Sequence, residues 1–326
     1  MGAAKTGMAL RENMSAGKQW DAIVVGDIFI DLILTGFPSL PGLGEEGFAR
    51  ACGRETGGGV GNTSCGLARL GMRTALLAVA GADEMEWFHR RFAARGVDTS
   101  MLVAHPTEPT AITVAVSTPH DRIFYTYYGP NAELAGMLGR PETCERLAGA
   151  RHVHFAFPVP PLLLADLGER LRQRGTSTSI DVGWQEGWLA DPASMDALAQ
   201  MDWFLPNEHE AERLTGESEP HRMFAWFHQR GVRGVVVKLG PQGSAITVDG
   251  ALRTVPSIPV TPVDTTGAGD CFNAGFLYGV LRGMPLVECL RIGNLCGAYS
   301  TQAPGGIEAF PDIDKLEKGL AADERR

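Results

Sequence analysis

The sequence predicts an α/β protein: a doubly wound, mostly parallel sheet flanked by helices, with a small β-lid. Three observations predict it. Short apolar strands alternate with helical stretches along most of the chain, the pattern of successive strand–helix–strand units. The first strand, residues 21–28, is apolar without alternation over 22–25, as a strand buried on both faces must be. A β-rich pair of segments within 107–128 interrupts the alternation and marks an excursion from the main sheet.

The elements follow in order. Residues 32–34 form a second apolar run, before a Pro/Gly-rich turn over 38–44. The cluster Gly57-Gly58-Gly59-Val60-Gly61-Asn62 opens a helix that runs to Leu70. Residues 75–79 read as strand, and Met85, Phe88 and Phe92 share one helical face. Residues 111–116 and 123–128, separated by Pro119-His120-Asp121-Arg122, read as a hairpin. The alternation then resumes, with strands at 152–155, 179–182, 203–205 and 235–239. Between them fall a helix face made by Leu164, Leu167 and Leu171 and helices over 207–214 and 223–229. Residues 245–248 and 252–255 read as an antiparallel pair, and 268–281 and 286–300 as two apolar helices. No repeat and no linker interrupts the chain. The expected organisation is a leader over 1–19, then one domain over 20–320 with a lid from about 35–55 and 107–128.

Composition excludes several classes. The 326 residues include 29 Lys+Arg and 38 Asp+Glu, a formal charge of −9, which disfavours a nucleic-acid partner. No window approaches the roughly 18 apolar residues of a membrane span. The six cysteines form no C-x-x-C, so no zinc knuckle or thiol redox pair is indicated. Residues 1–18 lack the apolar run of a signal peptide, and the expected location is the cytoplasm.

The strongest chemical signal is Asp264-Thr265-Thr266-Gly267-Ala268-Gly269-Asp270 at the start of an apolar helix. Amides there lack intrahelical partners and sit at the positive end of the helix dipole, which makes an anion hole for a phosphoryl group. Asp270 beside it has the chemistry of a general base for an attacking hydroxyl; the plainer alternative is an acid complementing the dipole. Asn207 and Glu210 have the spacing of a capping box, and Asn62 that of a helix N-cap. Lys238, at the end of an apolar strand, reads as a snorkelling surface lysine. No G-x-x-x-x-G-K-[ST], G-x-G-x-x-G, H-R-D or D-F-G is present, which disfavours Walker-type, dinucleotide and protein-kinase sites.

The pair GGVGNTSCGLARLG at 58–71 and DTTGAGDCFNAGF at 264–276 resembles the two signatures of the ribokinase-like, or PfkB, family of carbohydrate kinases. Asp31, the run Pro206 to Glu210, the run Leu239 to Gly243, and Gly305-Gly306 follow in the family's order, so the resemblance spans about 21–315. It implies transfer of a phosphoryl group from ATP, with magnesium, to a hydroxymethyl group. It further implies Asp270 as base with Gly267, Ala268 and Gly269 as anion hole, and Asp31, Gly58, Gly59 and Asn62 at the sugar. Asn207, Lys238, Gly240 and Gly243 would bind nucleotide, and Glu210 would hold magnesium through water. Asp264, Thr266, Ser300, Ala303 and Gly305 match a monovalent-cation site for potassium, with Ala303 departing from a larger polar residue.

Substrate identity is less legible. Val60 and Pro158 stand where ribokinases proper carry Lys and Glu, and no Arg/Lys cluster suits a phosphosugar. Phe124, Tyr125, Tyr127 and Tyr128 in the lid, with Trp184 and Trp188, suit stacking on a sugar or a purine, so a nucleoside kinase stays open beside a sugar kinase. A non-catalytic homologue is disfavoured by the intact Asp270. The family forms both monomers and lid-paired dimers; an apolar outer face of Ala111, Thr113 and Ala115 favours a homodimer through the lid.

Overall fold

The computed structural model describes residues 17–118 and 122–323. Most of the expected leader, and the hairpin turn at 119–121, lie outside them. The chain begins with β1 (Trp20–Val25), β2 (Phe29–Thr35), β3 (Ala51–Gly57), α1 (Gly59–Arg69), β4 (Thr74–Gly81), α2 (Met85–Ala93) and β5 (Val97–His105). The hairpin β6 (Ile112–Ser117) and β7 (Arg122–Tyr127) comes next, followed by α3 (Leu134–Leu138), α4 (Pro141–Leu147), β8 (Ala150–Phe155), α5 (Pro161–Gln173) and β9 (Ser177–Ile180). Then come α6 (Glu186–Ala190), α7 (Ala193–Gln200), β10 (Trp203–Phe204), α8 (Glu208–Thr215), α9 (Pro220–Gln229) and β11 (Val236–Lys238). The chain closes with β12 (Ser244–Val248), β13 (Ala251–Val255), α10 (Ala268–Leu281), α11 (Leu286–Ser300) and α12 (Ile313–Asp323).

Six strands form the main sheet in the order β10-β9-β8-β1-β4-β5, every neighbour parallel. Its centre is β1, flanked on both sides, which explains the unbroken apolar run of its sequence. Bridges from Phe204 to Val235 and from Asn207 to Lys238 continue it into the antiparallel set β11-β12-β13. Side chains alternate between two cores. Ile23, Val25, Val153 and Phe155 pack with Leu164, Leu167 and Leu171 of α5. Ala22 and Val24 pack on the opposite face with Leu67 of α1 and Phe272 and Phe276 of α10.

A second sheet, in the order β3-β2-β6-β7, stands at one end of the first. Only β2 and β6 run parallel in it. Its interior strands are β2 and β6; β2 reaches the expected lid span of 35–55 only at its last residue, and residues 38–50 contribute no strand. β3 went unpredicted because Gly53, Arg54, Glu55 and Gly57 give it neither alternation nor an apolar run. The expected apolar outer face does not exist. Ala111 and Ala115 are buried within the chain, and the Thr113 hydroxyl lies 3.1 Å from that of Thr126. The exposed surface of the hairpin is instead Phe124, Tyr125 and Tyr127, 44–62% accessible on the edge strand β7.

Candidate active site

The carboxyl ends of β1, β8 and β9 meet the N-termini of α1 and α10, the crevice in which open parallel sheets hold ligands. Gly267 caps α10 in the left-handed region (φ 72°), and a Cβ on it would come within 2.4 Å of Asn62 Nδ2. The Ala268 amide donates to Thr265 O. The amides of Gly269 and Asp270 have no carbonyl one turn back within the helix and point outward, so they form the anion-attracting pair. Asp270 accepts from Asn62 Nδ2 (3.1 Å), and Thr63 Oγ1 donates to its backbone carbonyl (3.2 Å). Enclosure by protein, reinforced by the Asp181 charge, pushes its pKa up to about 6.

Three consecutive glycines make room for this constellation. A Cβ at Gly57 would meet Asp31 Oδ1 at 2.1 Å, one at Gly58 the Asp27 carbonyl at 2.0 Å, and one at Gly59 Asp270 Oδ1 at 2.9 Å. Asp31 faces Glu55 across the β2–β3 ladder. Burial raises it to about 6, and among the described residues its carboxyl has no hydrogen-bond partner. Asp27, just past β1, is also raised to about 6 by burial. It accepts from the Tyr128 hydroxyl (2.8 Å), and its Oδ1 is buried without a partner. Nearby cations are engaged: Arg91 pairs with Glu55, and Arg54 with Glu84 at 2.6 Å while lying over the Trp87 ring.

The opposite side is organised differently. Lys238 is not a surface lysine. Its side chain is 12% exposed and its ammonium lies 2.5 Å from Asp181 Oδ2. Asn273 Nδ2 donates to the same oxygen (2.6 Å), and the Gly183 amide to Oδ1 (3.2 Å). Burial pushes the Asp181 carboxyl up, but the Lys238 ammonium and these bonds outweigh it and hold it below the usual range. The ammonium also lies 3.4 Å from the position a Cβ of Gly269 would take, behind the anion-attracting amides. Asn207 and Glu210 form the full capping box: Glu210 N donates to Asn207 Oδ1, and the Asn207 backbone and side-chain amides donate to the two Glu210 oxygens. Burial, then the Asp181 charge, raises Glu210 to about 7. Gly240 (φ 54°) and Gly243 (φ 101°) shape the turn directly after Lys238.

Asp264 receives the Thr266 amide on one oxygen (2.9 Å) and the Gly305 amide on the other (3.1 Å). Ser300 Oγ donates to Gly297 O. The Asp264 carboxylate thus ties Thr266 to Gly305. Among the described residues no cluster of three or more His, Cys, Asp or Glu side chains could hold a metal on its own. No helix there is long and apolar enough to cross a membrane. Trp188 belongs to the core, its Nε1 donating to Val159 O, whereas Trp184 is exposed.

Sequence reasoning missed Asp181, Asn273 and Asp27 as site groups and read Tyr128 only as a stacking aromatic of the lid, not as the partner of Asp27. Asp181 had a signal: it follows a strand carrying Ser177 and Ser179, polar groups that a buried parallel strand tolerates only when they are partnered. Tyr128 had none beyond its aromaticity.

A helix start with two outward amides, a carboxylate of raised pKa beside it and a buried lysine behind it thus stand together at one end of a parallel α/β sheet. The chain belongs to the pfkB family of carbohydrate kinases, whose pattern matches residues 21–313. It is 30% identical over 278 residues to the 2-dehydro-3-deoxygluconokinase of Bacillus subtilis, covering 80% of this chain and 85% of that one. It is also 30% identical over 275 residues to a nucleoside kinase of Methanothermobacter thermautotrophicus, covering 82% and 84%. The solved structure of Arabidopsis thaliana ribokinase with ribose and ATP superposes with a TM-score of 0.80 at 26% identity, covering 92% and 98%.

Proposed function

We propose that this protein transfers the γ-phosphoryl group of ATP to a hydroxymethyl group of a neutral sugar, with Asp270 as general base. The Asn62–Asp270 contact beside the free amides of α10 carries the reading. A substrate hydroxyl at this point loses its proton to the Asp270 carboxylate as its oxygen attacks the γ-phosphorus. The bond from that phosphorus to the bridging oxygen breaks, and ADP leaves. The Gly269 and Asp270 amides, with Lys238 behind them, stabilise charge on the transferring group. A pKa near 6 keeps Asp270 ionised at neutral pH yet basic enough to take a proton. Magnesium carried by the nucleotide supplies neutralisation of its phosphate oxygens. Glu210 suits a water-mediated contact, since Mg²⁺ keeps several waters and no protein cage is present among the described residues.

The second sheet acts as the lid. Its side of the cleft carries Asp27 and Asp31, acceptors for hydroxyl protons, and the nearby Arg54 and Arg91 are already paired. That balance suits a neutral polyol and opposes a sugar acid or sugar phosphate. A nucleoside is the second reading, favoured by the exposed Tyr128, bonded to Asp27 at the cleft, and by the likeness to a nucleoside kinase. The exposed hairpin aromatics support a homodimer through the lid, which light scattering at tens of micromolar tests.

ADP release measured across neutral sugars, sugar acids, sugar phosphates and nucleosides, in potassium and in sodium, decides among these readings. Turnover confined to acids or phosphates overturns the neutral-substrate assignment.

A further inference from the structure

A buried polar chain runs behind the Lys238 half of the cleft. β8 and β9 pair in the register His152–Ser177 and His154–Ser179. All four side chains, with Asp181 two residues further on, therefore share the sheet face that carries α10. His152 and His154 are fully buried. His152 Nδ1 lies 2.8 Å from Ser177 Oγ and its Nε2 2.7 Å from Ser179 Oγ, and His154 Nδ1 lies 2.7 Å from the same Ser179 oxygen. Ser177 Oγ also bonds the Arg151 carbonyl at 3.2 Å.

That carbonyl sets the direction of the chain. It can only accept, so the single Ser177 hydroxyl proton points to it, and Ser177 Oγ must accept from His152 Nδ1–H. Both rings are neutral, because burial lowers His152 to about 3 and His154 to about 4. His152 Nε2 is then a bare acceptor and takes the Ser179 proton, and Ser179 Oγ takes His154 Nδ1–H. The chain ends on His154 Nε2, an acceptor that is buried with no partner among the described residues. Asn273 is in the same position. Its Nδ2 must face Asp181, since a carboxylate only accepts, which leaves Oδ1 buried and unpartnered. Ser244, directly across the ladder from Lys238, carries a third unpartnered buried oxygen. His154 lies within electrostatic reach of both Asp181 and Lys238.

We propose that one fixed water bridges His154 Nε2 and Asn273 Oδ1, and that through it His154 is a positioning residue for the Asp181–Lys238 pair. A water offers two protons, one for each bare acceptor, and its lone pairs accept from the Lys238 ammonium and the Ser244 hydroxyl. Three or four such bonds are what a buried water ordinarily makes. The arrangement gives the Lys238 ammonium a second oxygen partner besides Asp181 Oδ2. The part of the proposal that concerns nucleotide rests on the kinase reading; the water and the ring tautomers do not.

Two measurements on the full chain test it. Nitrogen-15 NMR of histidine-labelled protein is expected to show both rings as the Nδ1–H form from pH 6 to 8, with the His154 signals identified by their loss in His154→Phe. Ser179→Ala is expected to release His154 into a mixture of tautomers. A protonated Nε2 on His154 in the native protein, or a high-resolution crystal structure without the bridging water, overturns the proposal. In titrations with Mg·ATP as probe, His154→Phe is expected to weaken binding about 3- to 10-fold, the equivalent of one lost hydrogen bond. His154→Gln, whose Oε1 restores an acceptor, is expected to recover most of it. Equal binding by native protein and His154→Phe overturns the positioning role, and His154→Gln together with the NMR arm decides the matter if the Phe variant does not fold. Native protein that binds no Mg·ATP overturns the kinase reading and the positioning role together, while the NMR and crystallographic arms still decide the water.

Discussion

On one side of the cleft a lysine and an asparagine hold Asp181 low against its burial; on the other, burial raises Asp27 and Asp31 to about 6 with no cation beside them among the described residues. Both sides bury carboxylates, yet Asp181 is held low by a cation within the protein, whereas Asp31 has no hydrogen-bond partner among the described residues and Asp27 only the Tyr128 hydroxyl. A carboxylate that is already paired fixes the position of its partner, here an ammonium behind the anion-attracting amides, before any ligand arrives. A carboxylate that is buried and unpaired is an unfavourable state that a ligand's hydroxyl protons relieve. In the proposed reaction the Lys238 half is therefore built in advance for an anion, and the Asp31 half gains its order from the substrate.

The strongest way to break this picture lies between the halves, at Asp270. Asp270→Asn keeps the shape and the Asn62 neighbour but cannot accept a proton. It is expected to lower kcat by roughly 10²- to 10⁴-fold while Mg·ATP affinity, measured by calorimetry, stays near native. Turnover within a few-fold of native removes the residue from the chemistry and leaves the two halves without a reacting point.

Next in size is a test of the prepared half. Asp181→Ala strands a buried ammonium, and chemical denaturation is expected to show a loss of about 3–5 kcal/mol. Adding Lys238→Met to it should return much of that stability, because the charge left behind disappears. A double variant as unstable as the sum of the singles contradicts the view that the two act as one unit. Asp31→Ala probes the other half, where stability should hardly fall and substrate binding should. Two lost hydrogen bonds to a charged group, each roughly 1.5–3 kcal/mol, predict a rise in KM with little change in kcat. An unchanged KM for the best substrate places Asp31 outside the site.

The two halves were not equally legible in the sequence. Residues whose role depends on backbone geometry announced themselves. Gly57 to Gly59 and Gly267 to Asp270 cluster along the chain because close approach and a helix start are local requirements. The strands of the main sheet were readable for a related reason: burial on both faces leaves an unbroken apolar run, as in β1. Groups that work through distant partners gave no local sign. Lys238 looks like a surface lysine until Asp181, 57 residues earlier, is placed against it, and Asp27 acquires its role from Tyr128 in the second sheet. The lid was half visible, since β6 and β7 are rich in β-branched and aromatic residues. β3 is polar because its sheet is largely open to solvent, and no periodicity betrays it.

The smallest expected effect is also the most direct readout of the contrast, the pH dependence of stability without ligand. Asp27, Asp31 and Asp270 titrate near 6 and Glu210 near 7 in the folded chain, against about 4 when unfolded. A carboxyl raised by folding binds its proton more tightly in the native state. Its charged form destabilises the fold fully above the folded value, and that penalty fades as pH drops towards the unfolded value. Asp181, Asp21 and Asp98 are lowered by folding, and their stabilisation is lost only as pH falls below the usual carboxylate range. His152 and His154, which burial lowers to about 3 and 4, oppose this as pH falls below the unfolded histidine value near 6.5, so the melting temperature is expected to rise only modestly from pH 7.5 to 5.5 and to fall again under strong acid. Asp27→Asn and Asp31→Asn should each flatten the rise, whereas Asp181→Asn should leave its slope intact and lower the whole curve. If Asp27→Asn and Asp31→Asn alter the slope between pH 7.5 and 5.5 no more than Asp181→Asn does, these carboxylates are not strained in the free protein, and the substrate would then have no such strain to relieve.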